Sequence, residues 1–233
     1  MVKRGRRRAK GKEDFARGRA KRQERDKVLI VTEGEKTEPD YFRRLISELG
    51  LTTAKVRITG EGGSAPISVV EMAEGILEHD DDYEQIYMVF DRDRHASYDD
   101  AIAKTAILKG RSGFDDKTVV AVTSVPCFEI WYSLHVSESC KPYCSTSTGG
   151  SPAKSLISDL KRAKLNGVAL FSEYEKSGCK KQFFEIAPQR EVAKQRAERI
   201  LQRARQAGDK EHHENPSTRV HFIVGALEKL SKS

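Results

Sequence analysis

The chain has 233 residues, of which 37% are hydrophobic and 33% charged, and its formal net charge is +7. That is enough for one or two domains with a sizeable core; it excludes a small disulfide scaffold, and 17 glycines and 7 prolines exclude a collagen-like or repetitive chain. No run of 18 apolar residues occurs and the basic N-terminus lacks the apolar segment of a signal peptide, so the expectation is a cytoplasmic protein that crosses no membrane.

The charge is partitioned along the chain. Residues 1–27 hold 13 Lys/Arg against 4 Asp/Glu, residues 28–150 hold 12 against 21, residues 151–210 hold 14 against 7, and the remainder balances. An acidic middle between two basic regions suits a protein that holds phosphate with one part and cations with another. Residues 1–26 are almost devoid of apolar side chains, so they are predicted to form a basic disordered arm, or a helix that forms only on binding. The arm reads either as a solubilising tail or as a nucleic-acid contact through Arg6, Arg7 and Arg8.

Regular structure is predicted to begin at residues 27–32, an apolar, β-branched run suited to a buried parallel strand, which stops at Glu33-Gly34. Thr37 is placed as the cap of a helix over 38–49, with Tyr41, Phe42, Leu45 and Ile46 on one face. A strand over 55–59 leads through Gly60-Glu61-Gly62-Gly63 to Ser64, a predicted N-cap, and to a helix over 66–78 with Ile67, Val70, Ile76 and Leu77 at helical spacing. A strand over 85–90 ends on Asp91-Arg92-Asp93, a helix follows over 98–108, and a strand over 117–123 ends at Ser124-Val125-Pro126. Beyond it come helices over 127–136, 153–165, 190–206 and 217–230, with a polar loop over 137–151. The expected fold is a doubly wound, Rossmann-like α/β sheet, largely parallel, over residues 27–136, with a loop and helical C-terminal part (137–233) packed on that core.

In such sheets the ligand site lies beyond the carboxyl ends of the strands. Glu33 and the pair Asp91/Asp93 follow two separate apolar strands and are expected to converge there. Two aspartates at i and i+2 can share a divalent cation, and all-oxygen donors suit Mg²⁺ or Mn²⁺, whose usual chemistry beside a phosphate is phosphodiester cleavage or transfer. Gly34 permits a tight turn and the close approach of a phosphate, which favours Glu33 over Glu35 and Glu38. Glu38 is read as a helix first-turn carboxylate stabilised by the dipole. Lys36 reads as a phosphate contact or as a solvated lysine, Arg92 and Arg94 as phosphate contacts or as counterions to the aspartates, and His95 as a proton-transfer aid or an exposed loop histidine. The glycine-rich stretch before Ser64 lacks the Gly-Lys-Ser/Thr ending of a P-loop, so ATP binding by this chain is not expected.

The residues Ile30-Val31-Thr32-Glu33-Gly34-Glu35-Lys36-Thr37-Glu38-Pro39-Asp40-Tyr41-Phe42, then Phe90-Asp91-Arg92-Asp93, Ser124-Val125-Pro126-Cys127-Phe128-Glu129-Ile130-Trp131 and Asn215-Pro216-Ser217-Thr218, resemble the RloB-like family, which includes AbiL-type abortive-infection components. The first strand with Glu33-Gly34 and the later strand with Asp91 and Asp93 also look like the Toprim fold of topoisomerases, primases and overcoming-lysogenization-defect nucleases. The resemblance implies a Toprim-type, Mg²⁺-dependent nuclease of phage defence that works beside an ATPase partner on DNA or RNA. It further implies Glu33 as general acid/base or metal ligand and Asp91 and Asp93 as metal ligands. Glu129 is the candidate for a further ligand, with a helix first-turn carboxylate as its other reading. The competing function is a non-catalytic Toprim-like subunit that binds nucleic acid or the ATPase.

Two further patterns remain open in the sequence. His135, Cys140 and Cys144 give H-x4-C-x3-C with Cys179 as a fourth ligand, a zinc reading that competes with four ordinary reduced thiols. The helix over 190–206 carries Arg190, Lys194, Arg196, Arg199, Arg203 and Arg205 around an apolar stripe. It reads as a solvated helix or as a phosphate-backbone surface in which Arg196, Arg199 and Arg203 face nucleic acid.

Overall fold

A computed structural model describes residues 27–52, 56–60, 63, 65–93, 95–138, 141–145, 150–175 and 180–232. The expectations attached to the basic arm with Arg6, Arg7 and Arg8, to Lys55, Glu61, Gly62, Ser64 and Arg94, and to Cys140 and Cys179 lie outside the described residues.

The sheet has the order β2-β1-β3-β4-β5. Strands β1 (Val28–Thr32), β2 (Val56–Thr59), β3 (Gln85–Asp91) and β4 (Thr118–Val125) are mutually parallel. Every residue of β1 is buried, as an apolar run covered on both faces requires. Side chains alternate between the faces, so Val28 and Ile30 join one core cluster while Leu29 and Val31 join the other. Helices α2 (Pro66–His79) and α3 (Tyr98–Lys109) cover the second face. The first is covered by α1 (Thr37–Glu48) and α4 (Glu129–Val136) with the later helices, among them α5 (Pro152–Arg162), α6 (Gln182–Ile186), α7 (Arg190–Ala207) and α8 (Val220–Ser231). Phe183, Ala197, Ile200, Val224 and Leu227 share a single cluster with Val28, Ile30, Phe42 and Trp131, so the C-terminal helices complete one face of the core. No helix among the described residues is long and apolar enough to cross a membrane.

Several details depart from the sequence reading: β4 runs on through Ser124 and Val125, α5 stops at Arg162, and the short helix α6 is not expected from the sequence. Thr37 is the first residue of α1 and makes no capping hydrogen bond; Lys36 occupies the cap position. A turn closed by the Ile130 N–H on the Cys127 carbonyl (3.0 Å) precedes α4, which therefore starts at Glu129. Ser217 and Thr218 form a short antiparallel strand, β5, against Val125 and Ser124, with the Ser124 and Thr218 hydroxyls 3.0 Å apart, so the last helix begins at Val220. Two residues are too few to show a strand period.

Candidate active site

The parallel strands put the ends of β1 and β3 side by side. The Glu33 N–H donates to the Val89 carbonyl (3.0 Å), which holds the residue after β1 against β3. Its side chain turns back to the same strand, Oε2 accepting the Asp91 N–H at 3.1 Å, while Oε1 lies 3.2 Å from His95 Nε2. Glu33 and Asp91, 58 positions apart, are thus joined directly, and the Glu33 side chain is only 13% exposed. Asp91 borders the cleft, but its Oδ1 is withdrawn from solvent and accepts no hydrogen bond among the described residues.

Two further carboxylates approach Asp91. Glu38, from the first turn of α1, is buried and lies over Gly34: a Cβ added at Gly34 would stand 2.5 Å from Glu38 Oε2. Glu129, at the start of α4, is buried on the other side, and the Tyr174 hydroxyl donates to its Oε1 at 3.0 Å. Burial, followed by the negative charges of Glu38, Glu129 and Glu33, raises the Asp91 carboxyl well above the usual carboxylate range, against a lowering contribution from the Phe128 backbone N–H. A cleft of about 760 Å³ opens at this point, lined by Glu33, Glu35, Lys36, Glu38, Asp91, Asp93 and His95. Asp93 is exposed at the rim with φ +23°, its N–H donating to the Pro126 carbonyl at 3.1 Å.

Glu33, Asp91 and Asp93 therefore share one cleft at the sheet edge, with Asp93 at the rim, while Glu129 is buried outside the cleft lining and acts on Asp91 through its charge. Sequence reasoning assigns Glu38 to helix stabilisation alone, yet after burial Glu38 is the strongest influence on Asp91. Nor does the sequence reveal the proximity of His95 to Glu33. Arg92 does not reach into the cleft: its guanidinium donates to the His213 carbonyl at 3.2 Å, and its N–H to the Ser124 carbonyl at 2.9 Å.

No three His, Cys, Asp or Glu side chains among the described residues stand arranged to hold a metal ion. The donors nonetheless fit a hard cation bound through one or two carboxylates and water: all are oxygens, Asp91 Oδ1 lacks a donor among the described residues, and the repulsion that raises Asp91 is relieved by positive charge. A zinc site at His135 does not fit. His135 is buried, its Nδ1 donates to the Trp131 carbonyl at 2.8 Å, and its ring packs edge-on against Trp131, whereas Cys144 is exposed.

Most cationic side chains of α7 are engaged within the chain. Arg190 pairs with Glu48, Lys194 with Glu228 at 2.6 Å, and Arg196 donates to the Leu134 carbonyl at 2.7 Å. Arg199 and Arg203 both face Glu138, at 2.9 and 3.5 Å, while keeping about half of their surface in solvent. None of the three arginines expected to meet nucleic acid lines the acidic cleft.

Fold and cleft together define a Rossmann-like α/β protein with a carboxylate cluster beyond the strand ends. The chain belongs to the RloB-like family: the family model described as RloB-like protein matches residues 28–227, which takes in every strand and every residue of the cluster. No curated protein and no solved structure shows significant similarity to it.

Proposed function

We propose that this RloB-like protein is a Toprim-type nuclease that hydrolyses phosphodiester bonds with Mg²⁺ or Mn²⁺ at the cleft of Glu33 and Asp91, and that it acts in the cytoplasm in an abortive-infection response beside an ATPase partner. The observation that carries the catalytic part is the direct Glu33–Asp91 link at the ends of β1 and β3, with Asp91 Oδ1 accepting no hydrogen bond among the described residues. The defence role and the ATPase partner are supported by the family resemblance.

Asp91 and Glu33 would hold the cation, with Asp93 at the rim as a ligand through water. Such a cation, when bound, would supply charge neutralisation for these carboxylates and for a phosphate held beside them. Glu33 has a second task. Its Oε2 accepts the Asp91 N–H and its Oε1 lies 3.2 Å from His95 Nε2, so Glu33 would also be the general acid/base that exchanges a proton with the attacking water, with His95 beside it. Glu38 and Glu129 add negative charge around Asp91, which would strengthen cation binding, and Lys36, in the cleft lining, would meet the substrate phosphate.

The test is cleavage of labelled single- and double-stranded DNA and RNA, with and without the ATPase. Mg²⁺-dependent products that EDTA and Glu33→Gln both abolish support the reading. Products that survive Glu33→Gln, or no cleavage of any substrate in any combination, refute it.

A further inference from the structure

The face of the sheet under α2 and α3 is apolar across the strands until it reaches β2. Pairing places Arg57 beside Leu29, Leu29 beside Ile86 and Ile86 beside Val119. The last three are buried in the core of that face, while the first is an exposed arginine. Between α2 and this edge strand lies a cavity of about 610 Å³, lined by Arg57, Ser68, Glu71, Met72, Ile76 and His79. Its size falls in the range of about 300–1,000 Å³ typical of small-molecule pockets.

This cavity adjoins the acidic cleft. Gly63 borders both, and a third hollow, lined by Arg43, Arg57 and Thr59, meets the cavity at Arg57 and the cleft at Gly60 and Glu35. Two exposed arginines, Arg43 and Arg57, therefore line the hollow that borders both the cleft and the cavity.

Gly75 supplies an independent observation. It sits inside α2, where glycine is less stabilising than alanine. Its φ is not positive, and a Cβ added there would meet nothing within 4 Å, so neither backbone conformation nor close packing calls for glycine. Gly75 lines the cavity, and its missing side chain keeps that space open. The wall chemistry suits a flat, amine-bearing ring. Met72 and Ile76 offer an apolar, polarisable surface. The Glu71 carboxylate, 3.6 Å from Lys104 Nζ, accepts hydrogen bonds, and the His79 ring is held in place by its Nδ1, which donates to the Gly75 carbonyl at 2.8 Å. Adenine, cytosine and guanine all present an exocyclic amino donor.

We propose that the cavity between α2 and β2 is a base pocket for the strand being cleaved: one unstacked nucleobase seats against Met72 and Ile76 beside Gly75, and Arg57 and Arg43 lead the sugar-phosphate backbone to Asp91. The substrate is accordingly single-stranded or locally opened nucleic acid. The proposal rests on the nuclease reading of the acidic cleft, and its test does not use cleavage.

The full chain is titrated in EDTA with a fluorescent single-stranded hexanucleotide, with its fully abasic counterpart of equal charge, and with a mononucleotide. The base-bearing hexamer should bind about tenfold or more tightly than the abasic one, as stacking of one base implies. Gly75→Phe, which fills the open space, should remove that preference and leave abasic affinity unchanged; Gly75→Ala should retain most of it. Arg57→Ala should weaken both hexamers. Thermal melting of each variant establishes that it is folded, and a Gly75→Phe protein that does not fold is replaced by Ser68→Phe, on the same wall. Equal binding of the two hexamers, no binding of either, or an unchanged preference in a folded, filled-pocket variant overturns the proposal. A mononucleotide that binds as tightly as the hexamer overturns the strand path. Cleavage by the wild type with equal hexamer binding would sink the pocket alone, and a base preference in a chain that cleaves nothing would sink the nuclease reading alone.

Discussion

Lowering the pH from 7 to 5 should destabilise the protein through His135, and the size of the effect can be worked out. Burial drives this imidazole from its ordinary value of 6.5 down to about 3, against the opposing hydrogen bond to the Trp131 carbonyl. Because the folded-state value lies below that of the unfolded chain, the unfolded chain takes up the proton first. Stability is then full above about pH 6.5 and declines as the pH falls toward the folded value. At pH 5 the folded ring is still neutral, so the loss is set by the 1.5-unit gap below 6.5, or about 2 kcal/mol at 1.36 kcal/mol per unit. The comparison protein is His135→Gln, whose amide can donate to the same carbonyl without titrating. His212 and His221, both lowered to about 4, contribute equally to the two proteins and cancel. Urea denaturation at pH 7 and pH 5 should show the wild type losing about 2 kcal/mol more than His135→Gln. Equal losses in the two proteins would mean that His135 is not sequestered as described.

Asp91→Asn should raise stability at pH 7 in EDTA by about 1 kcal/mol, since it removes a buried charge set among three others. The raised folded-state value of Asp91 means that the wild-type penalty exists only above the carboxylate's unfolded value, so the gain should vanish in urea melts near pH 3. Glu214→Gln should cost about 3–5 kcal/mol in the same assay, because it leaves Arg219 buried without the carboxylate it grips at 2.7 and 3.1 Å. Deleting residues 1–26 should weaken nucleic-acid binding and flatten its salt dependence, the log–log slope falling by about 0.7–0.9 for each phosphate the arm neutralises; unchanged affinity at low salt would make the arm a solubilising tail.

The strands and the convergence of Glu33 with Asp91 were legible because both depend on local pattern. An apolar β-branched run announces a buried strand, and in a parallel sheet the residue that follows it must lie at the carboxyl edge. Glu38 was not, because a helix first turn already accounts for a glutamate, and only the tertiary turn at Gly34 swings it over the cleft. The partners of the α7 cations were hidden for a related reason. A helical pattern shows which side chains face outward, but not that Glu48, Glu138 and Glu228 wait opposite them from distant parts of the chain. The break at Arg57 in an otherwise apolar row became visible only with the strand register.

The most direct test of the catalytic claim is the single-turnover cleavage rate of wild type and Asp91→Asn across a Mg²⁺ titration, with the ATPase present. The wild-type rate should rise with Mg²⁺ and saturate, while Asp91→Asn, more stable in EDTA, should fall by about 10²–10³-fold, the scale that follows removal of one group stabilising charge in the transition state. A folded Asp91→Asn protein that cleaves at the wild-type rate, or a wild-type rate indifferent to Mg²⁺, would contradict it.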